Sequence, residues 1–148
     1  MRGFHRVGAA RLAAGAGAAV PCAPMAQSSQ LGHLGEDAAA AHVVRLGWRV
    51  LARNWRPADR SLRGELDLVA LDGHTVVVCE VKTRSGGGAG PAVGGVTPRK
   101  LLQLRRLAAA WLVERPVGAT SVRIDVIGVL WPPSAMAPLI DHRRDVGG

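Results

Sequence analysis

The strongest constraint on the fold is one short segment: two β-rich runs, residues 65–71 and 74–82, separated by Asp72-Gly73. Asp-Gly between such runs is a tight-hairpin signal, because both central positions of the turn need positive φ. Strand side chains alternate between faces. Glu65 and Asp67 therefore share one face of the first strand, and Val78, Glu80 and Lys82 share one face of the second. A two-residue loop at Asp72-Gly73 sets Leu71 opposite His74, Asp67 opposite Val78 and Glu65 opposite Glu80. Asp67 and Glu80 are then diagonal neighbours, roughly 7–8 Å apart at the backbone. Two carboxylates so placed can converge on one cation at metal–oxygen distances of about 2.1 Å. Lys82 follows on the same face, while Val77, Cys79, Val81, Leu66 and Leu68 form an apolar opposite face to pack against a helix.

Clustered carboxylates repel, and a cation or a lysine offsets that cost. A bound Mg²⁺ would remove it, lower the pKa of a bound water and polarise a phosphoryl oxygen. The plainer account is an exposed charged hairpin with a cross-strand salt bridge, worth about 0–1 kcal/mol. Spacing alone leaves both accounts standing.

The flanks supply the rest of a domain. Residues 29–46 carry apolar positions at helical spacing (Leu34, Ala38, Ala41, Leu46), and Gly47 follows as a stop. Residues 48–55 read as a strand with Trp48, Val50 and Ala52 alternating against Arg49, Leu51 and Arg53. Thr97 as N-cap and Pro98 in the first turn open a helix that runs to about Glu114, before Pro116. Residues 122–131 are a further strand. The order helix, strand, strand, strand, helix, strand predicts an α/β fold, a mixed β-sheet flanked by helices. We expect residues 1–30 to be a disordered extension, 31–131 the folded domain and 132–148 a flexible tail. Met25 is an alternative start, which leaves open whether residues 1–24 are translated.

Charge then narrows the partners. Nineteen Lys and Arg against eleven Asp and Glu give a net charge of +8 and an isoelectric point near 11.3. Such a balance suits a polyanion, because neutralising phosphates releases counterions. Lysine survives in this arginine-rich chain only at Lys82 and Lys100. An ammonium can give up its proton when buried, which a guanidinium does not do, so both lysines are candidates for specific work. Arg56, Arg84, Lys100 and Arg105 are candidate phosphate contacts, although a solvated helix face explains the last two equally well. With no Tyr and one Phe, the chain lacks an aromatic stacking platform. The Gly-rich stretch 85–95 lacks the Gly-Lys-Ser/Thr ending of a Walker motif. The two cysteines make neither a disulfide framework nor a zinc knuckle and fit a reducing compartment. The five histidines are scattered and suggest no ligand pair. Asp125 beside Arg123 reads as a structural pair. No run of roughly 18 uncharged apolar residues is present, so no membrane helix is expected.

Asp67 on one strand followed by Glu80-Val81-Lys82 on the next resembles the PD-(D/E)xK signature of the restriction-endonuclease-like superfamily, with Leu66 in place of the proline. Around them stand Leu31-Gly32-His33-Leu34-Gly35-Glu36, Arg53-Asn54-Trp55-Arg56, Gly64-Glu65-Leu66-Asp67, Cys79-Glu80-Val81-Lys82-Thr83-Arg84, Val96-Thr97-Pro98-Arg99-Lys100 and Arg123-Ile124-Asp125-Val126. In that order they resemble the YraN-type family of small uncharacterised bacterial proteins, over roughly residues 31–131. The resemblance implies a nuclease-like core, a cytoplasmic location and nucleic-acid binding. It implies Asp67 and Glu80 as ligands of Mg²⁺ (or Mn²⁺), and Lys82 as the group that orients or activates water. Glu36 would reach the same cluster, and Glu65 would support it or be solvated.

Three functions compete. The first is a metal-dependent endonuclease hydrolysing phosphodiester bonds, with DNA favoured over RNA. The second is a catalytically silent nucleic-acid-binding module with a nuclease fold. The third is a protein-interaction factor whose basic charge is incidental. Only the first two predict steep salt dependence of nucleic-acid binding.

Overall fold

A computed structural model describes residues 24–86 and 95–148, with side chains from residue 29 onward. Residues 1–23, and most of the Gly-rich stretch 85–95, lie outside the described residues.

The five strands are β1 (Arg49–Trp55), β2 (Leu66–Asp72), β3 (Thr75–Ser85), β4 (Ser121–Trp131) and β5 (Leu139–Arg143). They form one sheet in the order β1-β2-β3-β4-β5, with β3 and β4 parallel and every other pair antiparallel. The helices are α1 (Pro24–Arg45) and α2 (Pro98–Glu114), and α2 lies in the crossover between the parallel strands. Residues 76–79 are apolar without interruption because both faces of β3 are buried. Val76 and Val78 pack with Leu104, Leu107 and Trp111 of α2, whereas Val77 and Cys79 pack with Ala39 and Val43 of α1. The result is a mixed sheet between two helices, an α/β arrangement consistent with the restriction-endonuclease-like class. No helix among the described residues is long and apolar enough to cross a membrane.

Local chemistry accounts for the element ends. Thr97 caps α2, its Oγ1 accepting from the Lys100 amide at 3.2 Å, with Pro98 behind it. Gly47, at φ +84°, ends α1. The hairpin turns at Gly73-His74, with Asp72 opposite Thr75 and Leu71 opposite Val76. Of the turn residues only Gly73 has positive φ, at +60°. This corrects the expected register, in which the loop was Asp72-Gly73. The partners slide by two residues, a full side-chain period, so the paired residues 68–72 and 75–79 keep their faces.

Four further expectations are revised. In β1 the register shifts between Val50 and Ala52, and Leu51 and Ala52 both pack toward α2. The expected alternation through Ala52 therefore fails at this bulge. Leu66 packs on the α2 side and Leu68 on the α1 side, so alternation also breaks across Asp67. Residues 132–148 are not a loose tail. They supply β5, and beyond it the Val146 amide donates to the Ile124 carbonyl at 2.9 Å. At the other end α1 begins at Pro24, inside the segment expected to be an extension.

A carboxylate cluster where β2 leaves β3

Beyond Leu68–Cys79 the pairing of β2 with β3 stops, while β3 runs on beside β4 to Ser85. Asp67 and Glu80 occupy this fork. The Val81 amide, no longer served by a β2 carbonyl, donates to Asp67 Oδ2 at 2.8 Å. The Asp67 carboxyl is pushed from its ordinary 3.8 up to about 6. Burial is the largest cause, and the Glu80 and Glu36 carboxylates add to it; the Val81 amide and Lys100 oppose it.

Glu80 lies on the α2 side. Its side chain is 12 % exposed, and its Oε2 lies 3.1 Å from Lys100 Nζ in the first turn of α2. That ammonium is near enough to pair but is not aligned to donate, so buried Oε2 accepts no hydrogen bond. Lys100 was expected to meet phosphate; here it neutralises Glu80. Its retention in an arginine-rich chain was the only sequence signal for that role.

Glu36 approaches from the α1 side. Asn54 Nδ2 donates to its Oε2 at 2.8 Å, and His33 Nδ1 lies 3.7 Å from the same oxygen. Asn54 sits at φ +49°, a region asparagine tolerates better than most residues. The α1 register that delivers Glu36 depends on Gly35, where a Cβ would stand 1.8 Å from Thr83 Oγ1. Because α1 starts at Pro24, Glu36 is mid-helix, and a first-turn dipole does not explain it. Glu36 and Asp67 line one cleft of about 250 Å³ with Leu31, Gly32, Val81 and Thr83.

Lys82 is half-buried on β3, two residues past Glu80 and opposite Gly128 of β4. Glu65 precedes β2 and pairs with Arg56, Oε2 to Nη2 at 2.8 Å. Arg84 is exposed near the end of β3, and Arg105 donates to the Gly147 carbonyl. Asp67, Glu80 and Glu36 are thus brought into one electrostatic neighbourhood with Lys100, while Glu65 and Arg105 are engaged elsewhere.

Among the described residues, no three or more His, Cys, Asp or Glu side chains gather closely enough to cage a metal. A cage is not what Mg²⁺ uses: one or two carboxylates, waters and substrate phosphate oxygens complete its shell. Asp67, with its raised pKa, and Glu80, now paired with Lys100, are the two carboxylates such a site would use.

The model of the family described as "Uncharacterised protein family UPF0102" matches residues 35–129, well over half of the chain. The chain belongs to the UPF0102 family. This is the YraN-type family, within the PD-(D/E)xK fold class. A UPF0102 protein of Acidothermus cellulolyticus is 52 % identical over 110 residues, covering 68 % of this chain and 80 % of that one. One from Frankia casuarinae is 45 % identical over 120 residues, covering 81 % and 98 %. One from Streptomyces coelicolor is 45 % identical over 127 residues, covering 84 % and 93 %. The matched span of this UPF0102 chain includes Glu36, Asp67, Glu80, Lys82 and Lys100.

The histidines hold a feature that sequence reading missed. His42 Nε2 and His142 Nδ1 are 3.0 Å apart, and His142 Nε2 lies 2.9 Å from Asp125 Oδ2. Asp125 is fully buried and also accepts from Arg123 Nε at 2.9 Å and the Asp145 amide at 3.0 Å. Arg123 reaches on to Asp72 at 3.3 Å. The expected Asp125–Arg123 pair is thus the centre of a network that clamps β5 to β4 and α1.

Proposed function

We propose that this protein is a Mg²⁺- or Mn²⁺-dependent phosphodiesterase acting on nucleic acid in the cytoplasm, with DNA as the favoured substrate. The observation that carries the reading is the pair at the strand fork. Asp67 is held above the usual carboxylate range by burial and by two neighbouring acids, and nearby Glu80, only 12 % exposed, holds its Oε2 3.1 Å from the Lys100 ammonium. A divalent cation held by these two carboxylates would supply Lewis-acid polarisation of the phosphate and an acidified water. Asp67 is held in place by the Val81 amide, and Glu36 by Asn54. Lys82 orients the attacking water and offsets charge that develops on the phosphate oxygens. Basic side chains around the fork draw the polyanion in.

A second reading has one observation in its favour. Lys100 already supplies Glu80 with a cation of the protein's own, as in a binding module that no longer turns over. Cleavage of labelled linear, single-stranded and branched DNA with Mg²⁺ or Mn²⁺ separates the two. Metal-dependent cutting by the wild type, lost in Lys82→Ala and in Asp67→Ala, supports the nuclease. No cutting, with DNA binding equal in all three proteins, supports the silent module.

A further inference from the structure

The segment between β1 and β2, residues 56–65, is fixed against α2 by three local devices. Gln103 Nε2 donates to the Arg63 carbonyl at 2.9 Å. Gly64, at φ +124°, lies so close that a Cβ would stand 2.6 Å from Gln103 Nε2 and 3.1 Å from Leu107. The Asp59 carboxylate takes both the amide and the hydroxyl of Ser61 at 2.8 Å, an Asx turn with Arg60 at its centre. Leu62 packs beneath on the core that faces α2.

Fixed in this way, the segment divides the surface into two hollows that share Leu62 and Arg63. One, of about 550 Å³, is lined by Arg56, Arg60, Arg63 and Lys100. The other, of about 420 Å³, is lined by Arg63, Arg99, Gln103 and Arg106. Glu65 neutralises Arg56, and Glu80 neutralises Lys100. Arg60, Arg63, Arg99 and Arg106 are exposed and form no ion pair among the described residues. Four guanidinium groups without counter-charge around two adjoining hollows, together a basic groove, repel one another, and a line of phosphates would relieve that repulsion. Their planar forks match phosphate oxygens two at a time. Among the described residues no aromatic side chain lines either hollow, so they offer no surface on which a base could stack. Lys100 belongs both to the groove and to the Glu80 pair, so the groove leads directly to the carboxylate fork.

We propose that this groove grips the sugar-phosphate backbone of a nucleic-acid strand beside the carboxylate fork, without regard to base sequence. The choice of nucleic acid rests on the nuclease reading; the groove and its free charges do not. Phosphate contacts fix register and orientation and carry no sequence information.

The test is binding of randomised labelled DNA, single-stranded and duplex, by fluorescence anisotropy in EDTA between 50 and about 300 mM NaCl. The triple variant Arg60→Gln, Arg63→Gln, Arg106→Gln is compared with Arg45→Gln, Arg49→Gln, Arg115→Gln, which removes equal charge from other surfaces. The groove variant should flatten the slope of log K against log salt by about 2 on single strands or about 3 on duplex. Affinity near 0.1 M salt should fall roughly 10- to 100-fold. An equal loss in both variants, or an unchanged slope in the groove variant, overturns the proposal. Should the triple variant fail to fold, single Arg60→Gln and Arg106→Gln each predict a slope change of about 0.7–0.9, and no change in either overturns it. EDTA keeps the outcomes separate. A groove effect without any metal-dependent cleavage refutes the nuclease alone, and cleavage with an unchanged slope refutes the groove alone.

Discussion

Asp67→Asn should make the metal-free protein more stable while removing its chemistry. Asparagine keeps an oxygen to accept from the Val81 amide, now 2.8 Å from Asp67 Oδ2, and discards the buried negative charge. The rise of the Asp67 carboxyl from 3.8 to about 6 means that the folded state binds the proton more tightly than the unfolded chain. A raised folded-state value in an acid favours folding below the unfolded pKa, and that benefit is lost as pH climbs through about 6. Ionised Asp67 therefore costs about 3 kcal/mol above pH 7, nearer 2 once water at the open cleft is allowed for. At about 2–4 °C per kcal/mol for a chain of this size, Asp67→Asn should melt about 5–10 °C above wild type at pH 8 in EDTA. At pH 4.5 the wild-type carboxyl is mostly protonated in the folded state, and the gap should shrink to about a third. Added Mg²⁺ or Mn²⁺ should then raise the wild-type midpoint and leave the variant unmoved. Thermal melts of both proteins at the two pH values, with and without metal, are sufficient. A variant no more stable than wild type at pH 8, or a gap independent of pH, would refute the view that Asp67 is held under electrostatic stress.

Three more outcomes follow from the geometry. Gly35→Ala puts a methyl 1.8 Å from Thr83 Oγ1 and 2.8 Å from its Cβ, so it should cost about 1–3 kcal/mol in urea unfolding. Thr83→Ala removes the closer contacts, so the double variant should regain part of that loss; strict additivity would place the clash elsewhere. Asp125→Ala strips a partner from part-exposed Arg123, which keeps Asp72, and from His142 and the Asp145 amide, and should cost about 2–3 kcal/mol. A loss below about 1 kcal/mol would mean the network does not hold β5. Burial first, then His142, Arg45 and Arg144, hold the His42 imidazole below its ordinary 6.5. Stability from neutral His42 is therefore present above pH 6.5 and lost as pH falls below it, so His42→Gln should flatten the melting profile on the acid side of pH 6.5. An unchanged profile would reject that assignment.

Where a single rule governs a segment, the sequence reading holds. Thr97-Pro98 opens α2 as expected because a cap needs only the residues at its own end. The faces of the paired stretch, residues 68–72 and 75–79, survive a misplaced turn because an error of two residues in register returns those side chains to their side. Asp125 beside Arg123 read as a structural pair, and the two do pair at 2.9 Å. Arg123 was near enough in sequence to name, but His142 was not: β5 is short, polar and preceded by prolines, and becomes a strand only because β4 offers it an edge.

The site itself depends on what periodicity does not carry. A perfectly alternating β2 would send Leu66 and Leu68 to one helix, and Asp67 squarely to the other side. Instead Leu66 packs toward α2 and Leu68 toward α1. The strand rolls at Asp67 as it parts from β3, and the carboxylate swings into the gap to serve the Val81 amide. From there it lies within electrostatic reach of Glu36 on one side of the sheet and of the Glu80–Lys100 pair on the other. A flat ladder would have kept Asp67 apart from Glu36 by the thickness of the sheet. The local defect in alternation brings Asp67 within electrostatic reach of both Glu36 and Glu80, and the chemistry proposed for this chain depends on that defect.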